Sequence, residues 1–181
     1  MIESYIAIEG PIGVGKTSLA EIIADKLNTR KVLEKFKDNP FLEGFYDDPD
    51  ANAFQTQVFF LLQRYQQQQK EIRQLNALQK GVVTDYMFEK DRLFASFTLK
   101  SQAEDELYGH VADILEKDVV KPDLVVYLQA DTSRLMKNIK KRGREFEKDV
   151  TFDYIDVVNQ KSVSYTHLRA HETEADLVCR L

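Results

Sequence analysis

The sequence predicts an α/β fold with a parallel sheet that is covered by helices on both faces. Short, largely apolar runs at residues 4–9, 31–34, 81–85 and 123–129 are typical of buried strands. Between them, apolar residues recur at helical spacing, most clearly after residue 16, from about residue 52 to 79, from about residue 103 to 119, and from residue 131 or 132 to 141. Strands that alternate with helices in this way indicate βαβ units and a doubly covered sheet.

Composition limits the class of protein further. A chain of 181 residues with 43% hydrophobic and 30% charged residues fits one packed globular domain with at most an appendage. The net charge of −5 argues against a nucleic-acid-binding surface spread over the whole protein, so any anionic ligand needs a local basic site. We find no membrane-length apolar stretch and no signal-peptide pattern, so we expect a cytoplasmic protein with no membrane partner.

A glycine cluster marks the first candidate site. The chain has only 7 glycines, and Gly10, Gly13 and Gly15 fall between the first predicted strand and the helix after it. The alternative, an ordinary glycine-rich turn, is disfavoured because the segment fits G-x-x-x-x-G-K-[ST] in the position that this phosphate loop requires. Its backbone N–H groups would hold phosphate oxygens, with Lys16 at the β- and γ-phosphates and Thr17 on Mg²⁺. The sequence therefore predicts binding of ATP with magnesium by Gly10, Pro11, Ile12, Gly13, Val14, Gly15, Lys16, Thr17 and Ser18.

Two carboxylates end predicted strands at the edge of the sheet where α/β proteins bind ligands. Glu34 suits a general base if the phosphoryl acceptor is an alcohol, which must lose a proton, whereas a phosphate acceptor needs no base. Asp85 stands where phosphate-loop enzymes keep a metal-binding carboxylate. The alternatives are a solvated glutamate at the strand end and an aspartate that caps a helix from Tyr86 onward.

Further polar residues complete the predicted site. Gln57 and Arg64 lie seven residues apart on the long helix, hence on one face, and an amide can pair with a nucleobase edge. The alternative is that both are surface residues. Arg142 and Arg144 flank Gly143 in the densest basic segment, which predicts a lid whose arginines stabilise the transferring phosphoryl group. The simpler reading is that cations gather at a helix C-terminus because of its dipole.

With these residues in view, the chain resembles the deoxynucleoside kinase family, most closely its bacterial deoxyadenosine/deoxyguanosine kinase branch. The likeness runs from about residue 4 to 160 in several separate blocks, which occur in the family's order. They are IEGPIGVGKT at 8–17, LE at 33–34, DNPFL at 38–42, AFQTQVFFLLQRY at 53–65, residues 85–92, KPDLVVYL at 121–128 and KKRGR at 140–144.

The resemblance implies a three-layer α/β/α P-loop NTPase fold and an ATP-dependent enzyme of nucleotide salvage. It implies that Glu34 is the base for the 5′-hydroxyl of a deoxynucleoside, that Gln57, Arg64 and Asp91 bind the nucleoside, and that Asp85 lies near magnesium and substrate. Arg142 and Arg144 match the lid, and Lys16 completes the predicted catalytic set. The family is typically a homodimer. Two positions depart from its pattern, since Tyr86 and Asn138 stand where relatives often have arginine.

The end of the chain differs from the family more strongly. Residues 163–181 show neither helical nor strand periodicity and resemble a translated adaptor sequence, so we expect a domain at 1–162 that lacks the family's last strand, followed by a tail outside the fold. Two other functions remain open. One is a nucleoside monophosphate kinase of thymidylate kinase type, and the other is a nucleotide-binding module without transfer activity. The preference for a purine or a pyrimidine stays open as well.

Overall fold

The strands of the computed structural model form one parallel sheet. The structure describes residues 4–78, 80–169 and 176–180, with side chains for residues 4–78 and 80–162. Within this part of the chain the strand order is β2-β3-β1-β4-β5, with every pairing parallel. The α/β class and the parallel sheet predicted from the sequence are therefore confirmed. The strands are β1 (Tyr5–Glu9), β2 (Arg30–Val32), β3 (Val82–Thr84), β4 (Leu124–Gln129) and β5 (Asp176–Arg180).

The structure contains a fifth strand, whereas the sequence predicts a sheet that lacks the family's last strand. Asp176–Arg180 pairs with β4, with Val125 opposite Asp176 and Gln129 opposite Arg180. The free edge of β4 would otherwise present unpaired N–H and C=O groups, and an extended apolar segment satisfies them whatever its side-chain periodicity. The helix before it also runs past residue 163, to Arg169. The division into a domain at 1–162 and a tail stays a prediction.

The described residues divide into two compact units, which we treat separately. The first comprises Met1–Leu33, Leu75–Met87 and Lys121–Leu181, and the second comprises Glu34–Gln74 and Phe88–Val120. The sheet belongs to the first unit, together with α1 (Lys16–Leu27), α7 (Thr132–Arg142) and α8 (Phe152–Arg169). No helix in the described part of the chain is long and apolar enough to cross a bilayer.

The core of the first unit lies between its sheet and its helices. Alternate residues of β1, Ile6 and Ile8, pack against one continuous apolar cluster, while Tyr5 and Ala7 are buried on the opposite face of the strand. A strand with this burial on both faces is what the near-continuous apolar run predicted. The remaining buried members of the cluster come from the segment between β1 and α1 and from α1, β3, β4, α7 and α8, and are Val14, Ala20, Ala24, Val83, Val126, Leu128, Leu135, Ile139 and Ile155.

The second unit is helical. Its elements are a short 3₁₀ turn (Phe36–Asp38), α2 (Leu42–Asp47), α3 (Pro49–Gln67), α5 (Lys90–Thr98) and α6 (Gln102–Glu116), and α3 packs against α2, α5 and α6. Asp48 caps α3 by accepting a hydrogen bond from the N–H of Ala51, and Pro49 occupies the first turn, where its missing N–H costs nothing.

The long helix predicted for residues 52–79 is present, with one irregular turn. After α3, residues Gln68–Ile72 form a π-helical turn, and the α-helix α4 (Arg73–Ala77) follows it directly. Such a turn takes up one additional residue and shifts the buried face, and both Gln68 and Ile72 are buried there. A hydrophobic pattern alone does not reveal a local change of helical period.

Candidate active site

The phosphate loop joins β1 to α1, and three of its positions need glycine. Gly10, Gly13 and Gly15 have φ angles of +146°, +85° and +105°, which side-chain-bearing residues rarely adopt. A Cβ on Gly10 would lie 2.5 Å from the carbonyl oxygen of Leu128, so the loop passes directly over β4. Gly15 precedes the first turn of α1, which contains no acidic residue. The N–H groups and positive dipole end of this helix are therefore available to an anion.

Polar side chains of the loop contact its own backbone and the end of β3. The Lys16 ammonium donates to the carbonyl oxygens of Gly10 at 2.9 Å and Pro11 at 3.1 Å, which keeps the cation over the loop. The Thr17 hydroxyl donates to Oδ2 of Asp85 at 2.5 Å. The helix after β3 begins only at Lys90, so Asp85 is not its cap. The structure therefore places Asp85 against the phosphate loop.

Thr17 and Asp85 are the residues that fit a magnesium ion. Mg²⁺ prefers hard oxygen ligands and is commonly bound by one or two protein oxygens together with waters and substrate phosphates. The hydroxyl and carboxylate of this pair lie at hydrogen-bond distance and are both hard oxygen donors. No group of three or more histidine, cysteine, aspartate or glutamate side chains could hold a metal within the described residues. Thr17 and Asp85 therefore suit a magnesium ion whose other ligands are nucleotide phosphates and waters.

The basic segment ends α7 and is held by one carboxylate. Gly143 ends the helix with φ +63°, and both flanking arginines turn toward Glu147, which is buried. Arg142 binds it in a forked manner, with Nε 2.8 Å from Oε2 and Nη2 2.5 Å from Oε1. Arg144 approaches the same carboxylate at 3.5 Å. The two predicted lid arginines are thus brought together, with their guanidinium groups only partly exposed.

In the second unit, Arg64 joins two carboxylates from distant parts of the chain. From α3 its guanidinium forms ion pairs with Glu34, which follows β2, and with Asp91 in the first turn of α5. The side chains of Arg64 and Asp91 are 8% and 2% exposed, while that of Glu34 is 23% exposed. The cluster contains two carboxylates and one guanidinium, and its more accessible member is the predicted base.

Gln57 shares the buried face of α3 with Arg64. Both residues are nearly inaccessible, so neither is the surface residue of the alternative interpretation. The Gln57 side chain makes no hydrogen bond to any described residue, which leaves its donor and acceptor for a ligand. The aromatic ring of Phe60 lies 5.3 Å from the Arg64 guanidinium carbon and helps to hold that side chain in place.

The segment after Glu34 is anchored to α3 by polar contacts. Gln63 donates to the carbonyl oxygen of Lys35 at 3.2 Å, and Asn39 donates to that of Thr56 at 3.2 Å. The Thr56 hydroxyl in turn donates to the carbonyl oxygen of Phe41 at 3.3 Å. These bonds place Glu34 at the start of a fixed segment, within reach of Arg64.

Comparison with known proteins identifies the family. The model of the deoxynucleoside kinase family matches residues 6–173, nearly the whole chain. The chain belongs to the deoxynucleoside kinase family. The deoxyguanosine kinase of Bacillus subtilis is 37% identical over 173 residues, which are 94% of this chain and 82% of that protein. The deoxyadenosine kinase of Dictyostelium discoideum is 35% identical over 156 residues, or 84% of this chain and 62% of that protein.

Solved structures agree with this assignment. A deoxyadenosine kinase from M. mycoides, solved with the products dCMP and a flexible dCDP, superposes with a TM-score of 0.84. It is 25% identical, and the match covers 97% of this chain and 89% of that one. Family membership makes the chain a kinase with a P-loop NTPase fold, as the sequence resemblance implied.

Sequence reasoning missed three buried polar residues, one in the first unit and two in the second. Glu147 follows the lid arginines in the pattern R-x-R-x-x-E, and this spacing could have indicated that Glu147 pairs with them. Asn39 lies in the DNPFL block, but its bond to α3 joins residues that no short motif relates. Lys90, which no motif marks, is a buried cation whose Nζ lies 5.4 Å from the centre of the Phe94 ring. Tyr86, already noted at a position where relatives often carry arginine, is buried as well.

Proposed function

We propose that this kinase transfers the γ-phosphoryl group of ATP to the 5′-hydroxyl of a deoxynucleoside and yields the 5′-monophosphate. The observation that carries the proposal is the cluster in which Arg64 pairs with both Glu34 and Asp91. The Arg64 guanidinium is already paired with these two carboxylates, so it is not available to bind the phosphate of a monophosphate acceptor. A neutral alcohol beside a carboxylate base suits the same arrangement. This argues against the thymidylate kinase type of reaction.

Each predicted residue has a distinct task in this proposal. The Glu34 carboxylate accepts the 5′-hydroxyl proton as that oxygen attacks, and Arg64 and Asp91 orient the carboxylate and the nucleoside. The loop N–H groups and Lys16 hold the ATP phosphates, and Arg142 and Arg144 neutralise charge on the transferring group. Thr17 and Asp85 would hold Mg²⁺, which supplies charge neutralisation when bound.

We propose deoxyadenosine and deoxyguanosine as the preferred acceptors. The relatives named above are a deoxyguanosine kinase and a deoxyadenosine kinase. The Gln57 amide offers one acceptor and two donor hydrogens from a buried position, which suits the polar edge of a purine. We also propose a homodimer, as the family resemblance implies, and a cytoplasmic location, as the sequence composition suggests. Light scattering after size exclusion would measure the mass of the assembly.

An ADP-release assay tests the reaction directly. Four deoxynucleosides and their 5′-monophosphates are each supplied with ATP and magnesium, and product is identified by chromatography. We expect turnover with deoxyadenosine and deoxyguanosine and none with the monophosphates. Turnover of monophosphates alone would assign the nucleoside monophosphate kinase reaction. ATP binding without any product would assign a binding module.

Replacement of the base tests the mechanism. Glu34→Gln keeps the size and polarity of the side chain but cannot accept the proton, so kcat should fall by about 10² to 10⁴ with little change in the KM for the deoxynucleoside. Glu43→Gln, an exposed residue of α2 in the same unit, is the matched control and should retain the kcat of the unmodified enzyme. If Glu34→Gln turned over at the rate of this control, Glu34 would not be the base.

A further inference from the structure

Helix α7 packs directly on the phosphate loop at Gly13. A Cβ built on that glycine would lie 2.8 Å from Cγ1 of Ile139 and 2.9 Å from the carbonyl oxygen of Leu135. Both residues are buried in the apolar cluster of the first unit, so the helix has little freedom to move away. The loop and the helix therefore meet with no space for a side chain between them.

Asn138 lies on this surface of α7 and binds the loop backbone. Its side-chain Nδ2 donates a hydrogen bond of 2.8 Å to the carbonyl oxygen of Gly13. The next N–H in the chain, that of Val14, donates to the carbonyl oxygen of Pro11 at 3.3 Å. Both polar groups of the peptide between Gly13 and Val14 are thus engaged inside the protein, on opposite sides of that peptide.

The orientation of this peptide matters for anion binding. A phosphate nest requires that successive N–H groups point into the concavity and that the carbonyl oxygens point away from it. Gly13, with φ +85° and no Cβ, is a loop position at which the following peptide can rotate more easily than at a residue that carries a side chain. A rotated peptide would turn a carbonyl oxygen toward the phosphates, where it would repel them.

We propose that Asn138 is a positioning residue for ATP, which fixes the Gly13 carbonyl outward and so keeps the loop in its anion-binding form. This inference rests on the proposed function, because it takes the loop as the ATP site. The family resemblance places an arginine at position 138. In this chain the uncharged amide of Asn138 instead donates a hydrogen bond to the loop backbone. The role requires a hydrogen-bond donor on a side chain as long as that of asparagine.

Two substitutions separate the donor from the volume of the side chain. Asn138→Asp keeps the shape but replaces the donor with a carboxylate, and Asn138→Ala removes the group. Loss of the bond should weaken ATP binding roughly tenfold in Asn138→Ala, and at least as much in Asn138→Asp. Arg134→Ala, an exposed position of the same helix with no side-chain hydrogen bond to any described residue, is the matched control and should bind as the unmodified enzyme does.

Calorimetry with ADP and magnesium measures the Kd, and steady-state kinetics measure the KM for ATP and for the deoxynucleoside. We expect the Kd for ADP and the KM for ATP to rise together, with kcat and the KM for the deoxynucleoside unchanged, a split that general destabilisation would not produce. Equal Kd values in all four proteins would overturn the role of Asn138 whatever the activity. An unmodified chain that binds nucleotide but phosphorylates no acceptor would overturn the proposed reaction alone, and one that binds no nucleotide would overturn both.

Discussion

The phosphate loop and the acceptor cluster are built in different ways. The loop, residues 10–18, is one continuous segment that combines backbone N–H groups with the side chains of Lys16 and Thr17, and its shape depends on glycines with positive φ. The cluster of Glu34, Arg64 and Asp91 brings together three separate segments, and its chemistry lies entirely in charged side chains. The loop should therefore be sensitive to an added methyl group, and the cluster should be sensitive to a lost charge.

The largest effect is expected from removal of the charge in the cluster. Arg64→Met removes the guanidinium that pairs with both Glu34 and the buried Asp91, so the free energy of unfolding should fall by about 3 to 5 kcal/mol. Urea denaturation followed by circular dichroism measures the change. The control is Arg92→Met, because Arg92 pairs with Asp113 and Glu116 at a more exposed position of the same unit, and there the loss should be about 1 kcal/mol or less. Equal losses would show that burial does not determine the cost.

The next effect concerns the backbone of the loop. Gly13→Ala combines an unfavourable φ of +85° with a Cβ that collides with α7, and should lower the free energy of unfolding by about 3 kcal/mol. Gly15→Ala has a φ of +105° but open space around the Cβ, so only backbone strain of about 1 kcal/mol is expected. Thermal unfolding of both variants tests the difference. If they unfolded at the same temperature, contact with α7 would not contribute.

The same contrast explains what the sequence reveals about each region. The loop was predicted residue by residue because its spacing is short and each glycine has a physical reason to be there. The shared face of Gln57 and Arg64 followed from their spacing of seven on a helix, but the ion pairs of Arg64 depend on segments about 30 residues away, and no local pattern encodes them. The resemblance to the family supplied the grouping that periodicity did not.

Other contacts were beyond prediction for the same reason. The bond from Asn138 to Gly13 spans 125 residues and depends on how closely α7 approaches the loop. The strand Asp176–Arg180 depends on the free edge of β4 and lacks alternation of its own. Local patterns thus predicted the elements and the phosphate loop, whereas contacts between distant elements required the structure.

A smaller effect should follow from weakening the metal pair. Asp85→Asn keeps an acceptor for the Thr17 hydroxyl but removes the negative charge, so the magnesium concentration for half-maximal activity should rise by about 10- to 100-fold. Titration of activity with MgCl₂ at saturating ATP measures it. Asp25→Asn, an exposed position of α1, is the control. An unchanged magnesium requirement would show that Asp85 acts only as a hydrogen-bond partner of Thr17.

The smallest effect is expected at the glycine that ends α7. Gly143 has φ +63° like a phosphate-loop glycine, but a Cβ there would meet no atom within 4 Å. Gly143→Ala should therefore lower the free energy of unfolding by about 1 kcal/mol, the strain of one left-handed residue. Gly143→Asn should cost less, because asparagine tolerates this conformation, and Asn28 already ends α1 with φ +50°.

Urea denaturation of these two variants beside Gly13→Ala completes the comparison. The order expected for the loss of stability is Gly13→Ala, then Gly143→Ala, then Gly143→Asn. A loss at Gly143 as large as that at Gly13 would mean that positive φ alone sets the cost, and that close packing against α7 adds nothing to the demand for glycine in the loop. The expected order would instead show that the loop needs glycine for two separate reasons, its backbone conformation and the close approach of α7. At Gly143, in the lid, only the backbone conformation requires glycine.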